Sequence, residues 1–374
     1  MKESYNRRQL LALAFVFAMA PVTRLLPRYS AKLSGSSAWL GPLIALPFLI
    51  LFIMYISAFM DRRQAGEGLA ETVLRSVGGT AGSIVLFLVA AFALFYCGFI
   101  VRSGADRYIS TIYPAGGPLP FVLVMFAIGL LATLGPAKAF ARAAKLFAPL
   151  LITVLALVLL FSLATLKPAN LLPLTGGGIP ETLLGAVPVL NILFGTLTYA
   201  AFLEGPCPRE QRRGAAWSGW ALIICGFLTL YTAAIIGNYG ALLTENLNHP
   251  FFTMIRDVTI FRTIERIEAF VVALWVYPDF IVLCTMLTLG SKCLRLSLGF
   301  RPQEDEKKFF DMKNGRWLIP AGAVIAAAVA LLLPKDALVM EKLSELYVPA
   351  ANFAVTLVIL PLCFLAGALR KRSS

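Results

Sequence analysis

The chain is made of apolar blocks long enough to cross a bilayer, and these leave it few folds. A transmembrane helix needs about 20 mostly apolar residues. Blocks of that order recur near 9–27, 38–59, 82–101, 118–134, 143–166, 183–203, 215–237, 264–290, 317–333 and 343–368. Inside hydrocarbon every backbone polar group must be satisfied within the protein, so such blocks become packed helices. The 374 residues are 59% hydrophobic and 14% charged, against about 45–50% and 25% for soluble domains. The expectation is an all-α polytopic membrane protein of about ten transmembrane helices, a single membrane domain over 1–374.

The net charge of +13 is spread through loops between the apolar blocks rather than gathered in one stripe. The lipid bilayer, not nucleic acid, is the expected partner. With the N-terminus in the cytoplasm, 22 of the 33 Lys and Arg fall on the cytoplasmic side. That positive-inside bias predicts both termini cytoplasmic. The segment GFRPQEDEKKFFDMKNGR, 299–316, reads as a solvated cytoplasmic loop. Lys2, Arg7 and Arg8 followed by a run ending Ala18-Met19-Ala20 resemble a secretory signal, but proline directly after the cut is a poor cleavage context. Removing the segment would also spoil the ten-span parity.

Catalytic and metal chemistry find little material. None of the six cysteines stands in CxxC spacing, and His249 is the one histidine. A zinc site, a redox pair and a His-based triad are therefore not expected. Gly176-Gly177-Gly178 lacks the Lys-Ser/Thr of a phosphate loop. Neither an enzyme nor a cofactor is expected.

Ten spans divide into two sets of five, and because five is odd the second set enters the membrane inverted. An inverted repeat places its ligand near the midplane, between discontinuous helices. The repeats are expected over 1–167 and 181–370, with interruptions in spans 1 and 6. Span 1 holds Pro21, Thr23, Arg24 and Pro27; span 6 holds Pro188, Asn191 and the Phe194-Gly195-Thr196 step. The candidate ligand-binding residues are Pro21, Thr23, Arg24, Tyr96, Asn191, Phe194, Gly195, Thr196, Tyr199 and Trp275.

Arg24 has three readings: it snorkels to the outer surface, it accompanies a simple proline kink, or it lines the site. Snorkelling is the favoured one. Asp279, central in an apolar run, either carries a coupling ion or proton or caps amides freed by Pro278. Trp275 and Tyr277 beside it read more readily as packing than as cavity lining. Arg102, Asp106 and Arg107 read as an outer interfacial rim. Glu204 reads as an interfacial acid pairing with Arg209 or Arg212, and Arg262, Glu265, Arg266 and Glu268 as a solvated or salt-bridged helix end.

The run from 146 to 205, with Pro149, Asn170 to Pro173, Gly185 and Phe194-Gly195, resembles the GerAB-type spore germination permeases. These belong to the amino acid/polyamine/organocation transporter superfamily. Gln9, Pro27, Ala38-Trp39 and Arg266 to Trp275 extend the likeness over most of the chain, while the glycine-rich stretch usual in span 1 is here Ala20-Pro21-Val22-Thr23. The resemblance implies a LeuT-like 5+5 inverted repeat with discontinuous helices 1 and 6. It also implies the permease-like subunit of a nutrient germinant receptor in the inner membrane of a spore. Such a subunit binds a small nutrient such as an amino acid, beside a second integral membrane subunit and a lipoprotein. The alternative is a proton- or cation-coupled amino acid transporter.

Overall fold

The apolar blocks form helices that run from one end of a bundle to the other. A computed structural model describes residues 6–61, 67–111, 113, 115–136, 138–174, 178–204, 213–257, 267–300 and 314–373. Helix α1 (Arg7–Ser34) starts on a capping box, in which Asn6 Oδ1 accepts from the Arg8 amide at 3.2 Å and Gln9 Oε1 from the Asn6 amide at 3.0 Å. It turns through Gly35–Leu40 into α2 (Gly41–Met60). The other crossing helices are α4 (Gly79–Thr111), α5 (Pro118–Leu134), α6 (Lys138–Ser162), α8 (Ala186–Leu203), α9 (Arg213–Tyr239), α12 (Ile267–Ser297) and α13 (Leu318–Leu332). The last crossing runs through α14 (Ala337–Lys342), a π turn, α15 (Val348–Phe353), a second π turn and α16 (Leu360–Ser373).

Seven runs among the described residues are long and apolar enough to cross a membrane, and one of them, Arg7–Met60, is α1 and α2 in series. With the shorter apolar α5 and α13, the expected ten are present.

Short helices complete the bundle. Among them, α3 (Leu69–Val77) packs against α4 and α16 at the face that carries the termini. At the opposite face, α7 (Ile179–Leu184) leads into α8, while α10 (Ala241–Asn246) and α11 (Pro250–Asp257) lie against α1 and α9. At the centre, α1 packs on α8, α2 on α9 and α4 on α12. Each of these spans thus meets the one five places later, the pairing expected of two related halves.

The helices are not broken where expected. Span 1 was to be interrupted at Pro21, yet α1 is helical throughout Arg7–Ser34 and breaks only at Gly35, whose φ of 55° suits glycine. Close packing holds the proline-bearing stretch in line: Ala20, Pro21, Val22 and Thr23 are all buried. The prolines still remove donors, leaving the carbonyls of Phe17 and Thr23 without their helical partners. In span 6 the chain stays in helical conformation through Gly185, which joins α7 to α8, and Asn191 to Thr196 are helical. Gly41 sits directly on the Gly185 backbone, and a side chain at Gly41 would collide with it, while one at Gly185 would meet Ser34.

Several sequence readings fall outside the described residues. They are the 301–313 part of the cytoplasmic loop, the Arg209 and Arg212 partners expected for Glu204, and the Arg262, Glu265 and Arg266 cluster.

Candidate functional site

Where α1, α4, α8 and α15 meet, near the middle of the bundle, they line a small cavity. Its volume is about 30 Å³, and its wall includes Pro21, Arg24, Tyr96, Asn191, Gly195, Thr196 and Tyr199. Seven of the ten residues proposed from sequence thus converge. Gly195 owes its identity to this packing, since a Cβ there would meet the Asn352 amide at 2.7 Å. The fourth wall departs from expectation. It comes from the last span through Val348, Pro349 and Asn352, not from span 8.

Asn352 is the residue that sequence reasoning missed, and it joins the two helices. Its Nδ2 donates to the Asn191 carbonyl at 2.6 Å and lies 3.2 Å from Asn191 Oδ1. Its Oδ1 accepts from the Tyr199 hydroxyl. Asn191 Nδ2 in turn donates to the Pro349 carbonyl at 2.7 Å. A lone amide in an otherwise apolar span was the available signal. The two π turns flanking α15 are the kind of local irregularity that accompanies functional sites.

Arg24 does not snorkel. It is 8% exposed, and its Nε, Nη1 and Nη2 have no hydrogen-bond partner among the described residues. The guanidinium stands 4.7 Å from the centre of the Phe99 ring, a cation–π contact that offsets part of its desolvation. A buried, unpaired cation still costs several kcal/mol. The snorkelling expected of Arg24 fails because neighbouring helices pack over this stretch of α1 and bury it.

Asp279 is buried and forms an ion pair with Arg107. Gly104 makes room for that carboxylate: a Cβ at 104 would meet Asp279 Oδ2 at 2.8 Å. Two expectations change. Arg107 is not part of an outer rim but an interior cation, with its guanidinium 5.3 Å from the Phe252 ring centre. The cap reading of Asp279 gives way to an ion pair joining α4 and α12. Arg102, also buried, donates to Asp106 at 2.9 Å and to the Ala330 and Leu333 carbonyls.

Three candidates stand outside the cavity wall. Thr23 Oγ1 bonds the Met19 and Ala20 carbonyls and accepts from Trp275 Nε1 at 2.8 Å. Trp275 is fully buried, with the Phe251 ring 4.8 Å away, so it packs rather than lines. Phe194 stacks on Phe52 at 4.1 Å.

A larger space of about 200 Å³ adjoins the cavity and shares Leu25, Asn191, Ile192 and Pro349 with it. Its other lining includes Tyr29 and Glu345, on the side away from the termini. There Arg28 pairs with Glu341 at 2.9 Å and Lys32 with Glu345 at 2.7 Å. No group of metal-ligating side chains exists among the described residues.

These features define a class, the ten-helix transporter bundle of the LeuT type. A solved Na+-coupled sialic acid symporter, in a substrate-bound outward-open state, aligns with a TM-score of 0.63 at 13% identity, over 94% of this chain and 79% of the symporter. MhsT in complex with L-phenylalanine aligns with a TM-score of 0.61 at 18% identity, over 99% of this chain and 89% of MhsT. At these identities the likeness is one of fold. No protein of curated function matches the sequence. The chain belongs to the spore germination protein family, whose spore permease profile matches residues 6–304.

Proposed function

We propose that the chain is the permease-like subunit of a nutrient germinant receptor, and that a small nutrient bound at the α1–α4–α8–α15 cavity triggers germination. The observation that carries this reading is the convergence of Arg24, Tyr96, Asn191, Gly195 and Thr196 on one interior cavity, in a chain of the spore germination protein family. The receptor would include a second integral membrane subunit and a lipoprotein, in the inner membrane of the spore, with both termini in the cytoplasm. The two five-helix repeats would be 1–167 and 181–370.

The second reading is a coupled secondary transporter, and the transporter fold favours it. It would need a carboxylate available to an ion or proton, and Asp279 is already engaged by Arg107. The cavity is small, about 30 Å³, room for about two waters. Ligand admission therefore requires the helices to part, which either a receptor or a carrier can use.

The test replaces Thr196, which lines the cavity, with Leu to occupy it, checks by thermal unfolding that the variant folds, then compares nutrient-triggered germination in spores with solute uptake into proteoliposomes. Loss of germination, with no uptake by the unsubstituted protein, supports the receptor. Robust uptake by the purified chain alone would overturn the receptor reading in favour of the carrier.

A further inference from the structure

The chain satisfies its other buried guanidinium groups, which makes Arg24 an exception. Arg107 meets Asp279. Arg102 meets Asp106 and two carbonyls, Arg295 the Asn314 carbonyl at 2.8 Å, and Arg316 the Leu134 carbonyl at 2.9 Å. Arg24 alone among the buried arginines of the described residues has no hydrogen-bond partner on any of its three nitrogens. It is also the one that lines the central cavity.

The rest of the wall indicates what would satisfy it. No Asp or Glu lines the cavity. Asp279 lies within electrostatic reach of Arg24, but its carboxylate is held by Arg107. The side-chain amides of Asn191 and Asn352 are spent on each other, on Tyr199 and on the Pro349 carbonyl. Arg24 is thus the one charged residue among the described residues of the cavity lining, and since the Asp279 carboxylate is already matched by Arg107, it leaves an excess positive charge and five N–H donors in a planar fork. That fork matches a carboxylate in charge and shape.

We propose that Arg24 seats the carboxylate of the ligand directly, and that the ligand class is small monocarboxylates for which an ammonium group is dispensable. This rests on the nutrient-binding reading above and narrows it, because the site lacks an acidic side chain to receive an amine. A hydroxy acid therefore fills it as well as an amino acid does. The ligand arrives through the adjoining 200 Å³ space, and the wall it must move is the Asn191–Pro349 contact that separates the two volumes.

The experiment uses the full-length protein in lipid nanodiscs and measures binding of acetate, lactate, alanine and alaninamide by calorimetry. Lactate is expected to bind at least as tightly as alanine, and alaninamide, which keeps the amine but not the carboxylate, not at all. Arg24→Gln should weaken lactate binding by about 30-fold or more, as expected when one partner of a buried charge pair is removed. Arg24→Lys, which keeps the charge but not the fork, should fall between. Equal binding of alaninamide and alanine would overturn the proposal, as would unchanged lactate affinity in a folded Arg24→Gln variant. If no acid bound but glucose did, and a folded Thr196→Leu variant blocked it, the carboxylate assignment would fall while the nutrient-binding reading survived. If neither acids nor glucose bound, both would fall.

Discussion

The Asn352 side chain donates to the main-chain carbonyl of Asn191, 2.6 Å away, and so pins the last span to the middle of span 6 at the cavity wall. A side chain satisfying a backbone group across two helices resists separation, because parting them strands both in an apolar interior. Asn352→Leu is expected to lower stability by about 1–3 kcal/mol, read as thermal unfolding in detergent. It should also increase access of water-soluble thiol reagents to a cysteine placed at Leu25. Unchanged access would show that the contact does not hold the wall closed.

Gly195 lies so close to Asn352 that a methyl group would overlap the amide, at 2.7 Å from both Nδ2 and Oδ1. Gly195→Ala is expected to destabilise the protein by about 1–3 kcal/mol, as overpacking does. Combined with Asn352→Ala, which removes the obstructing atoms, it should cost less than the sum of the two single changes. Strict additivity in a double-mutant cycle would deny the contact.

The Arg107–Asp279 pair joins α4 and α12 with both side chains almost wholly buried. Removing one member leaves a desolvated charge, so Asp279→Leu should cost about 3–5 kcal/mol. The double change Arg107→Met with Asp279→Leu should recover most of that loss, because two apolar groups of similar volume leave no charge to solvate. Thermal unfolding of the three variants measures this directly. A double variant no more stable than Asp279→Leu would mean that the ion pair is not what the single substitution breaks.

Thr23 and Trp275 form a second cross-link, from α1 to α12, through the indole N–H and the threonine hydroxyl at 2.8 Å. Thr23→Val keeps the shape and deletes the acceptor, leaving a buried donor unsatisfied at about 1–3 kcal/mol. The indole emission should shift as its hydrogen bond disappears. If neither stability nor emission changed, the bond would not form in the membrane.

His249 lies between α10 and α11, directly before Pro250, and its Nδ1 is buried without a partner among the described residues. Burial, reinforced by Arg107, Arg24 and Arg28, pushes its pKa down to about 4 from an ordinary 6.5. The folded protein therefore holds the imidazole neutral while the unfolded chain protonates it. The stability this contributes is complete above pH 6.5 and declines as pH falls from there toward 4, by up to about 2–3 kcal/mol. His249→Gln should flatten the fall between pH 6.5 and 5, the range least confounded by carboxylates. Parallel profiles for the two proteins would remove His249 as the cause.

Apolar blocks of bilayer length allow only helices, so the ten-span bundle was determined by the sequence alone. Seven of the candidate residues could be found for a related reason: polar or small side chains in such blocks are costly unless they meet a cavity or a partner. Distances between helices are not encoded in any one of them. Only the tertiary structure decided that α1 stays helical through Pro21, because its neighbours pack that stretch closely. The same holds for Arg107, whose place four residues from the end of a 33-residue helix suggested a rim until the crossing of α12 brought Asp279 to it. Asn352 stands alone as an amide in the last span, and its partners lie more than 150 residues away in sequence. For Arg24 the chain supplied a cation at about the right depth, and the packing of α4, α8 and α15 around it turned a surface anchor into a buried charge awaiting a counterpart.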